Sequence, residues 1–117
     1  MIKAKRVYEP AKESDGFRFL IDRLWPRGIK KEQLKLDSWL KSISPSDELR
    51  RWFSHQPSKW EEFKRRYYNE IKDKPEYRRL VELAKQKDIT LLYSSKETVY
   101  NNAIALKEFV ESEIRKV

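Results

Sequence analysis

The chain has 117 residues, a net charge of +8, and is 38 % hydrophobic and 39 % charged. Four Trp, six Tyr and five Phe bring enough buried area for one domain over residues 1–117 to form a core despite its modest apolar fraction. No Cys is present and His55 is the only histidine, which excludes disulfides, thiolate metal sites and a Cys nucleophile, and leaves no expected metal site of the His or Cys type. No apolar run approaches the roughly 20 residues of a membrane span. Met1 to Arg6 leads straight into a strand-like pattern without a signal-peptide core, so a cytoplasmic location is expected. The positive charge is spread over both halves. It suits an anionic ligand or partner, and equally a solvated basic surface.

Ile2 to Tyr8 alternates loosely and predicts a strand. Glu9 to Gly16 is polar, holds Pro10, and predicts a loop. Phe17 to Ile21 predicts a second strand whose end is apolar on successive residues, as in a strand covered on both faces. These two strands are placed to pair as a hairpin with a long loop. The only glycines, Gly16 and Gly28, stand at strand boundaries and predict turns in left-handed conformation.

Helices dominate from Lys30 onward. Asp37 is a candidate cap for a short helix carrying Trp39, Leu40 and Ile43. Ser44-Pro45-Ser46-Asp47 has the form of a helix start: a capping Ser, Pro in the first turn and an acid three residues on. Leu49, Trp52 and Phe53 give that helix its inner face. Pro57 opens a longer helix with Trp60, Phe63, Tyr67 and Ile71 on one stripe. Pro75 opens another, with Tyr77, Leu80, Val81 and Ala84 facing in. Ile89 to Tyr93 predicts a third strand, and Val99, Ala103, Leu106 and Val110 line a last helix. The order β-β-α-α-α-α-β-α predicts an α/β fold. Its small central sheet has about three strands, at least partly parallel, flanked by helices.

Polar residues follow two of these strands. Asp22, Arg23 and Arg27 follow the second. Ser94, Ser95 and Lys96 follow the third, with Asn101 in the first turn of the last helix. Ligands of open α/β sheets bind beyond the carboxyl ends of parallel strands. If the two strands are parallel, Arg23, Arg27, Ser94, Ser95, Lys96 and Asn101 form a candidate site for phosphate or carboxylate, with help from the helix start. Asp22 is a weak catalytic candidate, since an Asp beside arginines has a lowered pKa and serves better to orient them. Trp25-Pro26 reads first as a Trp closing the edge of the core, and second as a rigid aromatic wall. His55 is the second weak catalytic candidate: it is the only imidazole, the side chain suited to proton transfer near neutral pH. A basic set on the helices (Arg50, Arg51, Lys64, Arg65, Arg66, Arg78, Arg79) is interleaved with aromatics at ordinary amphipathic spacing. The glycines form neither a phosphate loop nor a dinucleotide fingerprint, so no cofactor is expected.

Asp15-Gly16-Phe17 leading to Asp22-Arg23-Leu24-Trp25-Pro26-Arg27-Gly28 resembles the YeaO-like branch of the family called domain of unknown function 488. So do Leu49 to His55 followed by Pro57, Trp60, Phe63 and Tyr67, and Thr90 to Tyr93 followed by Asn101 and Leu106. The resemblance covers nearly the whole chain in the same order. It implies a compact cytoplasmic α/β domain and no assigned activity. Longer relatives carry a Cys or His pair near the start of the last helix. Asn101 stands there in this chain, so thiol chemistry does not carry over.

The leading expectation is a site for a small anionic, phosphate-bearing ligand, with catalysis open. Hydrolysis or group transfer then suits the site better than redox chemistry. The alternatives are a basic nucleic-acid accessory protein and an interaction module without a ligand.

Overall fold

The computed structural model describes residues 1–116. Four parallel strands form one sheet: β1 (Ile2–Arg6), β2 (Phe17–Leu20), β3 (Ser38–Trp39) and β4 (Ile89–Tyr93), in the order β1-β4-β2-β3. Five helices accompany it: α1 (Lys31–Leu34), α2 (Asp47–Phe53), α3 (Trp60–Ile71), α4 (Pro75–Ala84) and α5 (Asn102–Arg115). The parallel α/β architecture is the one expected, with a fourth, very short strand added.

β4 takes the centre because all five of its residues are buried, as a strand covered on both faces must be. Ile89, Leu91 and Tyr93 join the main core with Ile2, Phe19 and the inner stripes of α2 to α5. Leu92 points the other way, into a smaller cluster with Val7, Leu20 and Leu34, which Trp25, Ile29, Leu36 and Trp39 cover. Trp25 therefore closes the edge of this second core, edge-on to Trp39 at 5.5 Å, and its indole N–H donates to the Ile29 carbonyl.

The expected β1–β2 hairpin does not form. Both strands pair in parallel with β4, which separates them. Each thereby gains the most apolar strand as its neighbour, and the connection becomes a crossover. Asp15 lies beneath it, 1 % exposed, bonded to Arg18 and Lys5. Burial pushes the Asp15 carboxyl up. The Lys12 N–H and the Lys5 and Arg18 cations outweigh that and hold it below its ordinary value. Gly16 and Gly28 adopt φ of 65° and 74°, the left-handed turns predicted.

Three local readings change. The helix expected over Trp39 to Ile43 is β3 followed by a 3-10 turn. Asp37 pairs with the backbone of Arg18 rather than capping a helix, so a long-range contact, not local propensity, decides this segment. The cap of α2 is Ser46, whose hydroxyl accepts from the Leu49 N–H; Ser44 instead donates to the Lys41 carbonyl. Val99 is 54 % exposed and precedes α5, because the Glu97 carboxylate gathers the Val99 and Tyr100 N–H groups into a turn. Among the described residues, no helix is long and apolar enough to cross a membrane.

Candidate functional site

β2 and β4 lie side by side and run parallel, so the polar segments that leave them meet at one edge of the sheet. A cavity of ≈ 600 Å³ opens there, within the range of about 300–1,000 Å³ usual for small-molecule sites. The Asp22–Arg27 turn forms one wall. Ser94, Ser95, Asn101 and Asn102 form a second. Arg50, Arg51, Ser54 and His55, from the end of α2, close a third.

Asp22 ties the first two walls together. Its Oδ2 accepts both the Ser94 N–H at 2.9 Å and the Ser94 hydroxyl at 2.8 Å. Its carbonyl accepts from the Trp39 indole N–H. The expected role of holding arginines in place is not the one observed. Asp22 makes no ion pair among the described residues, and its pKa moves the other way. Burial raises it, and the two Ser94 bonds, the Arg50 guanidinium and the His55 ring only partly oppose this. The turn aims Arg23 away from Asp22 toward α2, where its Nε lies 3.4 Å from Asp47 and a terminal nitrogen donates to the Pro45 carbonyl.

Four guanidinium groups line the cavity: Arg23, Arg27, Arg50 and Arg51. Asp47, outside the lining, pairs with Arg23 and Arg50. The Nε atoms of both are buried without a hydrogen-bond partner; the Asp47 oxygen is within ion-pair range of Arg23 Nε but misaligned for a hydrogen bond. Arg27 and Arg51 are exposed and form no ion pair among the described residues. Asp22 is the only acidic residue in the lining. Four arginines against Asp22 and Asp47 leave a surplus of two positive charges.

His55 stands on this wall through an unusual backbone. Ser54 and His55 both have positive φ, 46° and 53°, a left-handed pair that costs roughly 1–2 kcal/mol per residue. The strain turns the ring over Phe53, centroid to centroid 5.7 Å, and brings Nδ1 within 2.7 Å of the Tyr100 carbonyl. A carbonyl only accepts, so Nδ1 carries a hydrogen, and in the neutral ring Nε2 keeps its lone pair.

The remaining expected site residues divide. Ser94 and Ser95 line the cavity. Asn101 does too, but it is 1 % exposed and its side chain is committed: Oδ1 accepts from the Ile104 N–H and Nδ2 donates to the Glu97 carbonyl. With Glu97 bound to the two N–H groups before it, the start of α5 is already served by the protein's own acceptors. Lys96 is exposed and outside the lining. Arg6, not singled out by the sequence, fixes the Ser94–Ser95 wall by donating to both carbonyls. Arg50 and Arg51 enter the site from what reads as an ordinary amphipathic helix, and no local signal marks them. Among the described residues, no group of three or more His, Asp or Glu side chains is placed to hold a metal.

The basic helical face, by contrast, is largely neutralised. Arg65 and Arg66 pair with Glu62, Lys64 with Glu61 and Glu108, and Arg78 with Glu113.

A family described as the "Inactive DUF488-N3 subclade" matches residues 1–117. The chain belongs to the DUF488 family. Its similarity extends to "Uncharacterized protein YeaO" of Escherichia coli, 47 % identical over 95 % of this chain and 97 % of that protein. Uncharacterised proteins of Mycobacterium bovis and Mycobacterium tuberculosis are each 34 % identical over 93 % of this chain and 92 % of theirs. No solved structure matches the chain. The segment Asp22 to Arg27, which walls the cavity, lies within the matched residues.

Proposed function

We propose that this DUF488 chain binds a small anionic, phosphate-bearing molecule in the cavity beyond β2 and β4, without turning it over. The carrying observation is four arginines around one cavity whose lining holds a single carboxylate. Guanidinium groups recognise phosphate and carboxylate oxygens through paired N–H donors, and the cavity lies where parallel sheets bind ligands. Binding without turnover is favoured by the family's description as an inactive subclade. Asp22 and His55 line the same cavity, but Asp22 is engaged with Ser94 and neither is paired with the other as a base and its orienting group.

Isothermal titration with inorganic phosphate tests this reading. Saturable binding that weakens in Arg27→Gln and Arg51→Gln supports it. Absence of binding at low ionic strength, where such contacts are least screened, refutes it. A nucleic-acid role draws less support, because the basic residues on the helices are mostly paired with neighbouring acids.

A further inference from the structure

The cavity offers acceptors as well as donors, and they constrain the ligand beyond its charge. Asp22 Oδ2 takes both hydrogen bonds from Ser94, while Oδ1 receives none among the described residues. His55 Nδ1 is committed to the Tyr100 carbonyl, which leaves Nε2 as an acceptor in the neutral ring. The arginines supply only donors. A bare anion satisfies the arginines and leaves both acceptors without a partner. A ligand with hydroxyl groups beside its phosphate satisfies both sets.

We infer that the ligand is a phosphorylated polyol, with Asp22 as the residue that reads its hydroxyl groups. The inference rests on the anion-site reading above. It assigns the phosphate to the exposed guanidinium groups of Arg27 and Arg51. It assigns a hydroxyl to Asp22 Oδ1, with His55 Nε2 as the second acceptor. A site built to bond a hydroxyl discriminates against the analogue that lacks it, because the site's own polar groups are then stripped of water and left unpaired.

The test compares ribose 5-phosphate with n-pentyl phosphate, which has the same number of carbons without the hydroxyls, and includes inorganic phosphate. Each is titrated into the wild type and into Asp22→Asn by calorimetry. The inference predicts that ribose 5-phosphate binds at least about ten-fold tighter than n-pentyl phosphate, the effect of one hydrogen bond to a charged group. In Asp22→Asn the preference shrinks several-fold, while n-pentyl phosphate binds at least as tightly as to the wild type, because the substitution also removes the one negative charge in the lining. Equal affinity of the two esters for the wild type overturns the inference and leaves the anion site standing, and this holds even if the variant does not fold. A preference that persists unchanged in Asp22→Asn overturns the assignment to Asp22. No binding of any probe, inorganic phosphate included, removes the anion site and the inference with it.

Discussion

Asp22 and Ser94 fasten the ends of two neighbouring strands with one carboxylate oxygen, which accepts both the backbone N–H and the hydroxyl of Ser94. The contact spans 72 residues of sequence and fixes the two walls of the cavity relative to each other. Truncation to Ala strips the Ser94 N–H of its acceptor, whereas Asn retains one. Asp22→Ala is therefore expected to cost about 1–3 kcal/mol in urea unfolding, and Asp22→Asn less. Equal losses in the two variants would show that the hydrogen bond is not what matters.

The raised pKa of Asp22 gives the site a pH dependence. Protonation removes the one negative charge in the lining, so an anion binds more tightly as pH falls through the raised value. Sulfate is the suitable probe, because its own charge is constant over this range. Its affinity is expected to rise on acidification more steeply in the wild type than in Asp22→Asn, which lacks the titrating carboxyl. For stability the sign is also fixed. The folded state holds the proton to higher pH than the unfolded state, so Asp22 disfavours folding as pH rises through its folded value. The cost of Asp22→Asn relative to the wild type accordingly shrinks toward neutral pH.

Asp15 is the opposite case. It is buried, bonded to Arg18 and Lys5, and held below its ordinary value of 3.8. Its contribution is fully present above the unfolded value and is lost as pH falls through the folded one. Asp15→Asn is expected to cost about 3–5 kcal/mol at neutral pH, because it leaves buried cations uncompensated. The gap between wild type and variant closes below the ordinary value. Phosphate binding, measured on the folded fraction, is unchanged.

The two glycines separate close approach from backbone preference. A Cβ on Gly16 meets the Asp88 carbonyl oxygen at 2.1 Å, while one on Gly28 meets nothing within 4 Å. Gly28→Ala bears only the left-handed φ, about 1–2 kcal/mol. Gly16→Ala adds a clash with backbone, and a loss of about 3 kcal/mol or more is expected from thermal unfolding.

Much of this arrangement is legible in the residues themselves. The apolar run Ile89 to Tyr93, the stripe Trp60-Phe63-Tyr67-Ile71 and the polar exits after two strands follow from local pattern, and the parallel sheet brings those exits together as expected. What local pattern does not carry is long-range pairing. The β1–β2 hairpin fails because β4 offers each strand a better neighbour. β3 exists because Asp37 and Leu40 find the backbone of β2. Arg50 and Arg51 join the cavity because the end of α2 folds over it, and Asn101 and Lys96 contribute less than expected because Glu97 organises the turn before α5. The direction of the Asp22 pKa is likewise a property of burial, which the sequence shows only as a polar residue among charges.

The most direct test of the central claim is the map of backbone amide shifts in an NMR titration with inorganic phosphate. The account predicts saturable shifts concentrated at Arg23 to Gly28, Arg50 to His55, and Ser94 and Ser95, with little change along α3 and α4. Shifts spread over the basic faces of α3 and α4, or none at the Asp22–Ser94 edge, would contradict it.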